Sequence, residues 1–211
     1  MSTQQRAASA QKRMSAEQRR AHIEMSARDV FIAQGLKGAR TRDIAAAAGI
    51  NEALLYRHFA SKEDLFAAAV VAPLRELIAR RAEADSLPPT DAQTSRDEMV
   101  ERTRLFIASL IDVMRDVAPL LGVLMFDGEE SARSHYEEIL APVLQEIGDR
   151  IRTNLGWWDH RTFDVDAAVR FAFGAVWFDV LSGRLENRAI DAETASREIA
   201  EMVVLGLATR S

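Results

Sequence analysis

No cysteine occurs in the 211 residues. Its absence excludes a disulfide framework, a thiolate nucleophile and a cysteine metal site, and it fits a reducing compartment. Long apolar runs are missing too. The longest, Leu65 to Leu74, falls short of the roughly 20 residues that span a bilayer. The N-terminal stretch, rich in Gln, Ser and Arg, has no signal-peptide core, so a soluble, cytoplasmic protein with no membrane partner is expected. There is no GxSxG, no phosphate-cradling Gly-rich loop and no H-x-x-x-H among His22, His58, His135 and His160. Nucleophilic, nucleotide-binding and zinc-hydrolase chemistry therefore lack their usual constellations, and no cofactor or metal is expected. The acidic pairs Glu129-Glu130 and Glu137-Glu138 fit solvated positions near helix starts better than catalysis. Strand-like alternation of useful length is lacking, as is any fixed repeat, and the fold class is all-α.

The charge that is present is unevenly placed. The whole chain carries a net −5, but residues 1 to 62 hold 11 Lys or Arg against 5 Asp or Glu, a net of +6. The remaining 16 basic and 27 acidic residues give −11, and +6 with −11 restores −5. A basic N-terminal third on an acidic body is what a nucleic-acid-reading head needs, because neutralised phosphates supply much of the affinity. A run of charge alone is more often a solvated face, so its position relative to a motif decides its meaning.

The motif lies between Thr41 and Phe66, in the run TRDIAAAAGINEALLYRHFASKEDLF. Thr41 can cap a short helix that buries Ile44, Ala45 and Ala48, and Gly49 can close it in the left-handed conformation. Asn51 caps a second short helix, Glu52 to His58, with Leu55 and Phe59 facing inward. Ser61 to Asp64 is a capping-box pattern that opens a third. Upstream, Ser15 starts an S-x-x-Q capping box, and Ile23, Ala27, Val30 and Phe31 recur at helical spacing until Gly35. A helix, a Gly-containing turn and a helix form the helix-turn-helix arrangement, whose second helix enters a DNA major groove.

Taken together, Thr41-Arg42-Asp43-Ile44-Ala45, Ala48-Gly49-Ile50, Leu55-Tyr56-Arg57-His58-Phe59 and Ser61-Lys62-Glu63-Asp64-Leu65 resemble the DNA-binding domain of the TetR family of bacterial transcriptional regulators. The resemblance spans roughly residues 15 to 66 and departs from the family's pattern at Asn51-Glu52 and Leu54. It implies an all-helical protein of about nine helices. A three-helix head over 15–66 would stand on a helical effector-binding and dimerisation body over 67–211. Residues 1–14 read as a disordered basic arm, either a solubilising tail or a reach into a minor groove through Arg6, Lys12 and Arg13.

Within the head, Tyr56 and Lys62 read as phosphate contacts, because a hydroxyl on an exposed face and a cation in a helix's first turn both suit an anion there. The resemblance implies the same for Thr41. Arg42 and Arg57 either fork onto guanine or hold phosphate, and Glu52 can accept from a cytosine amino group. Asn51 heads the recognition helix, where Ala53 and Leu54 offer apolar contact such as to a thymine methyl.

The body reads as a connector helix through Pro73 to about Arg81, a Pro-containing linker over 86–90, and helices near 94–115, 118–126, 129–155, 164–184 and 191–208, the last two capped by Asp164 and Asp191. Pro73 either hinges the connector or merely curves it. The helix from Asp164 is apolar nearly all round, and the final helix adds a second broad stripe with no later element to cover it. A two-fold homodimer through Phe171, Gly174, Ala175, Phe178, Ile199, Met202 and Val203 is therefore inferred. It would set two recognition helices about 34 to 36 Å apart on a palindromic operator. Phe106, Met114, Leu120, Met125, Phe126, Tyr136, Trp157, Trp158 and Trp177 are candidates for an effector pocket, with Arg115, Asp127 and His135 as polar groups beside it.

The resemblance implies a DNA-binding regulator, usually a repressor released from its operator by a small apolar ligand. A ligand-independent architectural DNA binder and an all-helical enzyme are the competing classes. Lys62→Ala should weaken binding across sequences and lower the salt slope by about one unit, whereas Arg57→Ala should relax preference at one base step. Titrations on several duplexes at several salt concentrations check both, and wild-type behaviour of the two variants would overturn the assignments.

Overall fold

A computed structural model describes residues 14–85, 95–126 and 128–207. The basic arm through residue 13, the linker over 86–90 and Asp127 lie outside them. The described residues form helices and turns without a β-strand. In chain order these are α1 (Ala16–Gly38), α2 (Thr41–Ala47), α3 (Glu52–Tyr56), α4 (Lys62–Asp85), α5 (Arg96–Met125) and α6 (Glu129–His135), then a π-helical turn (Tyr136–Leu140), α7 (Ala141–Asn154), a 3₁₀ turn (Leu155–Trp157), α8 (Val165–Leu185) and α9 (Ala192–Leu207). They fall into two compact units, Met1–Ala69 and Val70–Ser211.

In the first unit α1 opens with the expected capping box. Ser15 Oγ accepts from Gln18 N at 3.0 Å, and Gln18 Oε1 accepts from Ser15 N at 3.0 Å. The expected end at Gly35 is instead a kink, where Gly35 turns to φ 69°, ψ 170° and one more helical turn carries the chain to Gly38. The core of the unit is a T-shaped contact of Phe31 on Phe66, centroids 4.8 Å apart, surrounded by the buried Ile23, Ala27, Ile44, Leu55 and Leu65.

Arg40, not Thr41, occupies the cap position of α2, and its side chain makes no capping bond. Thr41 is one residue inside the helix, which leaves its hydroxyl for a partner elsewhere. Gly49 ends the turn at φ 65°. Ile50 N donates to Ala45 O at 2.9 Å and Gly49 N to Ala46 O at 3.1 Å, the paired bonds of a Schellman closure. Asn51 Oδ1 then accepts from Leu54 N at 2.8 Å and starts α3, which is shorter than expected because the backbone beyond Tyr56 tightens into turns, with His58 N and Phe59 N both donating to Leu55 O.

In the second unit α5 is the central element. It runs unbroken where two helices, 94–115 and 118–126, are expected. Its buried residues Ile107, Leu110, Ile111, Met114, Val117, Ala118, Leu121 and Leu124 keep the helical period straight through Pro119. A proline in a helix interior costs about 3 kcal/mol, and burial of a large apolar side chain returns about 1.5–3 kcal/mol each, so the continuous stripe wins. The helix expected over 129–155 is divided by the π-helical turn, where Ala141 N reaches back to Tyr136 O. Pro142 follows directly, and a widened turn relieves a ring that would press on the preceding carbonyls. α9 and α8 pack along α5, and α7 packs along α8.

The caps expected for the last two helices are formed. Asp164 Oδ1 accepts from Ala167 N at 3.0 Å. Asp191 accepts from the Thr194 hydroxyl at 2.6 Å and from the Glu193 and Thr194 amides, and these bonds, the Thr194 side chain first, hold its carboxyl below the usual range.

At Gly49 a Cβ would meet nothing within 4 Å, so the cost of Gly49→Ala comes from the positive φ alone. A loss of about 1–2 kcal/mol is expected, read as a lower denaturation midpoint by circular dichroism. An unchanged midpoint would show that the closure of α2 is not under this constraint.

Candidate functional site

The recognition element is built on α2 and α3. Arg42, Asn51, Glu52, Ala53, Tyr56 and Arg57 are exposed, Thr41 and Leu54 are half-buried, and Leu55 and Phe59 anchor the segment from below. The Thr41 hydroxyl donates to Glu52 Oε1 at 2.7 Å, and the Tyr56 hydroxyl donates to Thr41 Oγ1 at 3.3 Å. Two hydroxyls expected to meet phosphate are thus joined to each other and to a carboxylate, in a chain that ties the first turn of α3 to α2. Arg42 lies beside Asp43 at 3.5 Å, with its side chain largely in solvent.

Lys62 sits differently from expectation. Its ammonium donates to Leu36 O at 2.8 Å and Ala39 O at 3.3 Å, carbonyls at the end of α1 that the kink at Gly35 leaves without helical partners. The cation therefore fastens α4 to α1 within the head. Arg20, which the spacing of α1 did not single out, holds the far end of the motif. Its guanidinium donates to His58 O at 2.8 Å, lies 4.3 Å over the Phe59 ring and pairs with the nearly buried Glu24 at 3.0 Å. A basic residue four before an acid is the ordinary spacing of a solvated helix pair, so nothing in the sequence marks this role.

The second unit holds a cavity of about 200 Å³. One wall comes from α5 through Phe106, Ile107 and Leu110, another from α8 through Val169 and Phe173, with Val203, Val204 and Leu207 of α9 beside them. The segment after α7 closes it with Trp157, Trp158 and Phe163. His160 stands between Trp158 and Phe163, 5.5 Å from each ring. Arg161 ties the segment to the end of α9, its amide donating to Leu207 O and its Nε to Gly206 O, both at 2.8 Å. The polar lining is Arg102, Thr103, Arg150 and Asn154. Arg150 donates to Ile78 O at 2.7 Å, and Arg102 pairs with Glu98 at 3.2 Å.

Of the residues expected at a pocket, Phe106, Trp157 and Trp158 line this cavity. Met114 and Leu120 are fully buried in the core. Trp177 is tied by its indole N–H to Ala118 O at 3.1 Å, while Phe126 is 77% exposed. Met125 and Tyr136 are half-buried away from the lining, Arg115 turns to Asp112, and His135 ends α6. Part of the aromatic wall after α7 was visible in the Trp157-Trp158 pair, but Phe163, Arg102 and Arg150 carry no pattern that marks them.

On α8 and α9 a second apolar surface faces solvent. Phe171, Phe178, Met202 and Leu205 are 52 to 69% exposed, and Gly174 and Ala175 lie half-exposed with Val203 among them. Ile199 is buried within the protomer.

Residues 25–69 match the family model for bacterial regulatory proteins of the tetR family. The head is a TetR-family DNA-binding domain. The whole chain has the TetR-family regulator fold, as its likeness to solved structures shows. A FadR regulator of Bacillus subtilis, in complex with stearoyl-CoA, is 21% identical at TM-score 0.67, covering 88% of this chain and 98% of that one. A TetR-family regulator of Mesorhizobium loti is 21% identical at TM-score 0.64, covering 93% and 100%. The ketosteroid regulator KstR2 of Mycobacterium tuberculosis is 22% identical at TM-score 0.59, covering 93% and 98%. No curated protein matches the chain. Among the described residues, no helix is long and apolar enough to cross a membrane.

Glu52 puts a negative charge beside the two hydroxyls of the TetR-type head that would meet phosphate. Glu52→Gln should therefore bind random duplex more tightly and discriminate less, each by on the order of tenfold, a typical size for one base contact. Fluorescence anisotropy on operator and scrambled duplexes measures both, and two unchanged affinities would remove Glu52 from the interface.

Proposed function

We propose that the protein is a homodimeric DNA-binding transcriptional regulator, a repressor released from a palindromic operator when a small molecule occupies the body cavity, and not an enzyme. The observation that carries this reading is the TetR-type head with its read-out side chains in solvent: Arg42, Asn51, Glu52, Ala53, Tyr56 and Arg57 on one short two-helix element. Thr41, Tyr56 and Arg42 set register on phosphates, while Arg57, Glu52 and the apolar Ala53 and Leu54 meet base edges. Lys62 acts chiefly by holding the head together, so Lys62→Ala is expected to lower stability along with affinity.

Support for a ligand-holding body comes from the cavity, and the stearoyl-CoA complex of the B. subtilis FadR regulator is a likeness in the same fold. An architectural DNA binder has no use for an apolar, aromatic-lined cavity of this kind. The cavity's walls on α5, α8 and α9, and Arg150 with its bond to α4, give an occupant a direct hold on elements that would shift between two states. A preference of a few kcal/mol for one state suffices.

Dimerisation through the exposed stripe of α8 and α9 supplies the second recognition helix. A monomer would leave Phe171 and Phe178 in water at 60 and 69% exposure, an apolar patch of the kind that marks an interface. In a double Phe171→Glu, Phe178→Glu variant the helical content should stay unchanged, because both side chains lie outside the protomer's core. Sedimentation should drop to a single subunit, and affinity for a palindromic operator recovered from genomic fragments should fall at least about a hundredfold, the loss of a linked second site. A variant that stays dimeric would place the interface elsewhere, and a wild-type protein that ignores genomic fragments in dilute buffer would end the regulator reading.

A further inference from the structure

The chemistry of the cavity lining narrows the ligand. Its walls are apolar and aromatic, and among the described residues its charged side chains are of one sign, Arg102 and Arg150, with no carboxylate in the lining. Arg102 pairs with Glu98, whose side chain is 44% exposed outside the lining. Arg150 is held differently. One Nη of its guanidinium donates to Ile78 O at 2.7 Å, which fixes the group in a partly buried position, and among the described residues none of the ion pairs involves it. A guanidinium has five N–H donors in a planar fork, so most of its donor capacity remains after that single bond.

An apolar occupant would strip water from this cation without replacing it, at a cost, and a neutral acceptor would replace it with a weaker bond. A carboxylate offers two oxygens in the geometry the fork matches and turns that cost into a charge-assisted bond. Asn154 and Thr103 add uncharged polar groups in the same lining. The volume, about 200 Å³, is below the roughly 300 to 1,000 Å³ of sites for drug-sized ligands, so the apolar part is short.

We infer that the cavity binds a small apolar monocarboxylic acid as its anion, the hydrocarbon part against Phe106, Phe173, Trp157 and Trp158 and the carboxylate on Arg150 with Arg102 beside it. The inference rests on the ligand-responsive reading above and names the class of its effector.

Octanoate, octan-1-ol and octanamide share one chain and differ only in the head group. Calorimetric titration of the full-length protein near neutral pH should give octanoate a Kd at least about tenfold below those of the alcohol and the amide. Arg150→Gln should remove that preference while octan-1-ol still binds within about threefold, which shows that the cavity survives loss of the bond to Ile78. Arg102→Gln, which leaves that bond in place, should weaken octanoate by a smaller factor, and Arg150→Lys should recover part of the preference. Equal binding of octanoate and octan-1-ol to the wild type, no binding of any of the three, or a preference that persists in both glutamine variants would overturn the inference. Operator binding is measured on the same preparations without ligand. A protein that grips its operator and is released by other compounds but ignores octanoate refutes the ligand class alone. One that binds octanoate but never DNA supports the ligand class and refutes the regulator.

Discussion

Helices α8 and α9 carry apolar side chains on opposite faces, and neither face can be left against water without cost. At about 25 cal/mol per Å² of apolar surface, covering such a helix on one side only forgoes several kcal/mol on the other. One face is covered inside the protomer, where Val169, Phe173, Val176 and Val180 of α8 and Ile199, Ala200 and Val204 of α9 are buried. The opposite face, with Phe171, Phe178, Met202 and Leu205, waits for another surface. Because the same two helices also wall the cavity, proposed ligand binding and proposed dimerisation act on one pair of elements. That economy follows from where two apolar stripes fall on two helices.

The head depends on a different device. Helices α2 and α3 are too short to be stable alone, and α3 has only one buried residue, Leu55. Order comes from bonds that replace missing helical ones: the Schellman closure at Gly49, the Asn51 cap, Lys62 on the carbonyls at the end of α1, and Arg20 on His58 O and Phe59. The first two close a helix terminus on itself, and the last two tie a terminus to a neighbouring element. A short rigid element with exposed polar side chains results, and that is what reading a groove requires.

The corrections to the expected elements have two causes. The expected ranges left a break between 115 and 118, and the proline at 119 locally favours one, but the buried stripe on both sides of it overrides that preference. Pro142 suggested nothing, yet the backbone before it widens into a π-helical turn. Thr41 looked like a cap and is instead the first helical residue, its hydroxyl directed to Glu52. Packing along α5 and the Glu52 partner of Thr41 lie beyond nearest-neighbour chemistry, whereas the widened turn before Pro142 is a local effect of the ring.

Local sequence by itself settled the helical class, the Ser15 capping box and the Gly49 turn, since these depend on residues within four or five positions of one another. It also settled the motif that marks the head, because a helix-turn-helix is a short-range pattern with fixed spacing. It could not say which aromatic residues line a cavity and which fill the core. Phe106 and Met114 both sit on α5, one lining the space and the other fully buried, and periodicity treats them alike. Nor could it bring Arg102, on α5, to the same space as Arg150, on α7. Those assignments depend on how helices cross, which is set by the summed packing of the whole body and has no signature in any short stretch of chain.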